Sequence, residues 1–99
     1  MMAWFSVTPV GTASPSVTAE VARAVDAVHA TGVAASTDAA GTLIEGTWEE
    51  CTAGLRAACD AVLESAERVS VVAKLDVRTD RPDQTAADKL AALARARGG

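Results

Sequence analysis

Residues 3–10, AWFSVTPV, alternate with period two: Phe5 and Val7 fall on one side, Trp4, Ser6 and Thr8 on the other. That is the pattern of a strand with one buried face. Residues 11–16, GTASPS, then break the pattern with turn chemistry, and Ser14 or Ser16 is placed to cap a following helix with Pro15 near its first turn. Val17, Val21, Val25 and Val28 recur at helical spacing, predicting a helix over 17–31 that Gly32 ends. Residues 33–37, VAAST, form a weak strand, and 42–47, TLIEGT, the strand that returns after a turn at 38–41. From Trp48 to Ser65 the period is helical again, with Trp48, Cys51, Leu55, Cys59 and Val62 on one stripe and Glu49 and Glu50 where the helix dipole favours them. Residues 68–77, RVSVVAKLDV, give the clearest strand, and a short helix is expected over about 85–96, carrying Leu90 and Leu93.

The order βαββαβ plus a terminal helix predicts an α/β (α+β) fold, a ferredoxin-like sandwich. Two helices should cover one face of a four-stranded antiparallel sheet. Strand parity assigns Phe5, Val7, Val69, Val71, Ala73 and Leu75 to the helix-facing side. Trp4, Ser6, Thr8, Ser70, Val72, Lys74 and Asp76 take the other side. Trp4 and Val72 make that second face too apolar to be freely solvated, so a second subunit's sheet is expected to pack on it. Glu45 interrupts a strand-like run, and parity leaves its direction open because Leu43 and Ile44 claim opposite faces. If it points into a packed surface it needs a partner. An ion pair with Lys74 or Arg78 would serve, and so would a ligand that is cationic or donates hydrogen bonds.

Composition narrows the classes. The 99 residues suffice for one domain, 1–99, and the apolar half is rich in alanine and poor in aromatics, a thin core for which self-association is a common remedy. A net charge of −4 argues against nucleic acid and anionic membranes as partners. No run approaches the roughly 18 apolar residues of a membrane span, and the first residues lack the basic region of a signal peptide. Cys51 and Cys59 are eight apart on one helix, about 12 Å, beyond the ~7 Å reach of a disulfide; a reducing cytosol fits. Their spacing is not the Cys-x-x-Cys of a metal-transfer domain, and the chain has no Asn for an acylphosphatase-type site. His29, the sole histidine, sits on a valine-striped helix and suits a surface or boundary position better than a base or ligand. GTASPS is not a Walker loop, although backbone N–H groups between that strand and helix can hold a polar ligand.

TPVGT, SVTAEV, GTLIEG, AKLDVRTD and DKLAAL occur in this order and at this spacing from about Val7 to Leu93. Together they resemble the small thiamine-binding, YkoF-like proteins. Gly41, Thr42 and Glu45 match the family's Gly-Thr-x-x-Glu-Gly block. Ser16 and Val17 match its helix start, and Lys74, Asp76, Arg78 and Asp80 match its Lys-x-Asp-x-Arg-x-Asp block. The resemblance implies a ferredoxin-like fold, homo-oligomers (dimer or tetramer) built by sheet pairing, and binding of thiamine or its hydroxymethylpyrimidine moiety without catalysis or cofactor. The ligand-binding residues it and the chemistry point to are Glu45, Thr42, Thr37, Gly41, Thr12, Ser16 and Trp48. Glu45 would face the thiazolium or accept from the aminopyrimidine, hydroxyls would fix the pyrimidine edge, and Trp48 would stack. Where the family has Pro-Met before Gly-Thr, this chain has Ala39 and Ala40. That departure supports the alternative, a structural or regulatory homo-oligomer without a ligand.

Overall fold

The computed structural model describes residues 1–98. Its elements follow the pattern closely: β1 (Met2–Pro9), α1 (Thr18–Ala30), β2 (Ala34–Thr37), β3 (Thr42–Glu45), α2 (Trp48–Leu63), β4 (Val69–Asp76) and α3 (Ala86–Ala96). The strands form one antiparallel sheet in the order β2-β3-β1-β4, the ferredoxin-like arrangement. Local chemistry sets the boundaries. Gly32 reaches φ +85°, a left-handed conformation open to glycine, and its N–H returns to the His29 carbonyl to close α1. Thr47 and Glu50 form a reciprocal capping box that starts α2, and Thr85 and Asp88 do the same for α3.

β1 is the central constraint, paired to β3 on one side and β4 on the other. Its alternate residues Ala3, Phe5 and Val7 are buried beneath α1 and α2, together with Ile44 of β3. Small residues at the helix contact, Ala24 on α1 and Gly54 and Ala58 on α2, let the helices approach each other and the sheet. A Cβ on Gly54 would stand 3.3 Å from both Ile44 Cδ1 and Val33 Cγ1. Cys51 fills the same core, and burial pushes its thiol pKa up; both cysteines are free.

The register confirms the assigned parity, with Phe5 opposite Ala73 and Val7 opposite Val71. The burial expected for β4 does not follow. Val71 and Leu75 lie on the helix side yet stay exposed, because the helices cover the middle of the sheet and β4 is its edge. Nor does a serine cap α1. Its first turn starts at Val17 with no side-chain hydrogen bond, because Ser14 Oγ accepts from Ser16 N–H within the preceding turn.

The open face carries Trp4 beside Gly41. A Cβ at Gly41 would fall 2.5 Å from the Phe5 carbonyl oxygen and 2.7 Å from the Trp4 indole, so both backbone and ring require glycine there. Gly41→Ala is expected to destabilise the fold by about 1–3 kcal/mol, seen as a lower urea midpoint at unchanged slope.

Candidate ligand cleft and the place of Glu45

The β2–β3 turn is built by Asp38. Its Oδ1 accepts from the N–H groups of Ala40 and Gly41 at 2.8 and 3.0 Å, while its own N–H donates to the Gly41 carbonyl. These backbone donors hold the Asp38 carboxyl below the usual aspartate range, so it is ionised at neutral pH. The turn brings Thr37 and Thr42 opposite each other, hydroxyl to hydroxyl at 3.0 Å. The two threonines border a cleft of about 200 Å³ between this hairpin, β1 and the start of α1. Phe5 and Val7 line it from β1, Val17 and Val21 from α1, and Asp38 and Gly41 from the turn. Val17 begins α1 without a side-chain cap. A lining of apolar residues with four hydroxyl residues, Ser6, Thr8, Thr37 and Thr42, and one carboxylate is suited to a small, flat, polar-edged molecule.

Of the seven candidate residues, Thr37, Thr42 and Gly41 are brought together at this cleft. The other four candidates are elsewhere. Thr12 and Ser16 sit in the exposed loop before α1; the Thr12 hydroxyl donates to the Ser14 carbonyl, and the Ser16 hydroxyl lies 3.4 Å from that of Thr18. Trp48, the first residue of α2, is half exposed and outside the cleft lining. Glu45 is three residues from Thr42, about 10 Å along the strand, and points to the opposite, open face, because Ile44 takes the buried side.

The partner of Glu45 is not a lysine or arginine. Its Oε1 accepts the N–H of Ala86, the first residue of α3, at 2.5 Å. An ion pair with Lys74 or Arg78, one of the readings the sequence left open, is not formed among the described residues; Arg78 instead pairs with Asp80. Glu45 stands opposite Met2 on β1, and Asp76 stands opposite the same Met2 from β4. Asp76 binds Lys89 Nζ of α3 at 2.6 Å. One carboxylate therefore satisfies an orphan donor at the α3 N-terminus, where the dipole also favours it, and the second holds the next turn. Glu45 also borders a wide hollow of about 550 Å³ with Ala34, Thr47, Gln84 and Thr85, separate from the threonine cleft. Asp38 is the cleft residue that the sequence reading missed; the signal available was an Asp opening a four-residue turn between two strands.

A polar-edged cleft at the hairpin end of a ferredoxin-like sheet has the shape and chemistry of a small-molecule site. A family model described as thiamine-binding protein matches residues 3–94. UPF0045 protein Mb1933 of Mycobacterium bovis is 44% identical over 75 residues, covering 75% of this chain and 72% of its own. Among solved structures, MJ1052 of Methanocaldococcus jannascii superposes with a TM-score of 0.85 at 30% identity over 94% of each chain. A domain of unknown function, DUF77, from Bacillus cereus superposes at 0.77, with 26% identity over 90% of this chain and 85% of that one. The chain belongs to the thiamine-binding protein family.

Glu45→Ala removes the acceptor for Ala86 and is expected to lower amide protection over residues 86–89 at least about tenfold, given roughly 1.5–3 kcal/mol for a hydrogen bond to a charged group. Protection of the β1 core should not change, as read by hydrogen exchange. The Asp76 tether has its own pH signature. Lys89 draws the Asp76 pKa below the usual 3.8, first through its hydrogen bond and then through its charge. The tether's stabilisation is therefore complete above the unfolded aspartate pKa and is lost as pH falls through the lowered value. An NMR titration should show α3 amides shifting below about pH 4, before the core unfolds.

Proposed function

We propose that this protein binds thiamine or its hydroxymethylpyrimidine moiety in the cytosol, without transforming it. The observation that carries the reading is the Thr37–Thr42 hydroxyl pair at the edge of the cleft between the β2–β3 turn and α1. Membership of the thiamine-binding family supplies the ligand class. The hydroxyls offer both donor and acceptor to a pyrimidine edge, Phe5 and Val7 offer an apolar floor, and ionised Asp38 offers a counter-charge to a thiazolium. Glu45 acts outside this cleft as the anchor of α3. No helix among the described residues is long and apolar enough to cross a membrane. The free thiols of Cys51 and Cys59 accord with a reducing compartment. Copies are proposed to associate through the open sheet face, where Trp4 and Val72 leave apolar surface.

A second reading, a structural or regulatory homo-oligomer with no ligand, draws on Ala39 and Ala40. Both line the cleft where the family pattern has a proline and a methionine, so the wall there is short.

Calorimetry with thiamine and with hydroxymethylpyrimidine separates the two. Micromolar or tighter binding is expected, weakened about tenfold by Thr42→Val, the cost of one hydrogen bond, and unchanged by Glu45→Ala. Absence of heat with both compounds refutes the ligand reading.

A further inference from the structure

β1 is longer than the strand beside it. The β1–β3 ladder ends at the Phe5–Thr42 pair, while β1 runs on to Pro9 against β4 alone. Two backbone bonds fix which way each residue of this overhang faces. Val10 N–H donates to the Arg68 carbonyl, so the even-numbered Ser6 and Thr8 turn their N–H and C=O groups to β4. Gly46 N–H donates to the Met1 carbonyl, so the odd-numbered residues turn theirs to the β3 side. Ala3 and Phe5 meet Ile44 and Thr42 there. Val7 has no such neighbour: among the described residues its N–H and C=O have no hydrogen-bond partner.

The residue that would continue the ladder opposite Val7 is Ala40. Asp38 prevents it, because its Oδ1 takes the Ala40 and Gly41 N–H groups into the turn. Val7 is nonetheless a buried residue, and it lines the cleft together with Thr37, Ala40 and Thr42. A backbone donor and acceptor withdrawn from water without partners cost free energy until something pairs with them.

We propose that the Val7 backbone reads the ligand, its N–H donating to a ring nitrogen and its carbonyl accepting from the adjacent exocyclic amine. The ligand class is a flat heterocycle with an amidine edge, an acceptor beside a donor. This rests on the reading of the cleft as the pyrimidine site and adds an orientation: the aminopyrimidine edge meets β1. Two features exclude an added peptide strand as the occupant. Pro9, the next residue on this edge, has no N–H to offer, and Thr42 already occupies the edge at Phe5. One donor and its neighbouring acceptor suffice for a single ring and are too few for a strand. A threonine hydroxyl rotates to suit either a donor or an acceptor. The Val7 amide and carbonyl cannot exchange roles, so they set selectivity where the Thr37–Thr42 pair adds affinity.

Hydrogen exchange on the free protein should show Val7 N–H unprotected between protected Ser6 and Thr8. Saturating hydroxymethylpyrimidine should slow Val7 exchange at least about tenfold, and calorimetry should find the analogue without the exocyclic amine about tenfold weaker, since the Val7 carbonyl is then left unpaired. Three results overturn the assignment while leaving the cleft reading intact. They are a Val7 amide as protected as Ser6 and Thr8 in the free protein, one unaltered by a ligand that calorimetry shows to be bound, and equal binding of the two compounds. No heat with hydroxymethylpyrimidine overturns both.

Discussion

Everything else in this molecule depends on the burial of one face of β1. Ala3, Phe5 and Val7 sit at the centre of the sheet and at the base of both helices. Because side chains alternate along a strand, fixing these three on the helix side fixes Trp4 and Met2 on the opposite face, and pairing then transmits that choice to β3 and β4. Ile44 must follow Ala3 into the core, so Glu45 must follow Met2 onto the open face. The orientation of the carboxylate is a consequence of the core and owes nothing to its own charge.

The same logic explains how α3 is attached. An alanine-rich helix with two exposed leucines has little hydrophobic surface to hold it on the sheet. Glu45 and Asp76, flanking Met2 on three adjacent strands, hold its start and the following turn through a backbone donor and a lysine. Near the end of the sheet these contacts are electrostatic and partly solvated, so they determine where α3 starts more than they stabilise the domain. Residues 77–85, with the Arg78–Asp80 pair and the Thr85–Asp88 cap, shape the approach to that anchor.

The threonine cleft lies on the other side of the same hairpin. A turn whose backbone donors are occupied by Asp38 presents Thr37 and Thr42 as a rigid pair beside an uncapped helix start. Rigid polar groups against an apolar floor lose little entropy on binding, which is what a weakly enclosed site of this size requires.

The amino-acid pattern by itself determined the elements, their order and the parity of β1 and β4, because period and turn chemistry are local. It also marked Gly41, Thr37 and Thr42 as neighbours, since four turn residues hold a hairpin in register. Tertiary structure alone decided the rest. The direction of Glu45 depended on which of Leu43 and Ile44 the helices covered. Its partner lay 41 residues away in a helix start that no local signal connects to it. Thr12, Ser16 and Trp48 have the right chemistry but stand in an exposed loop and at a helix start outside the cleft lining. The exposure of β4 followed from its place at the sheet edge, a property of strand order, which hydrophobic alternation along one strand cannot encode.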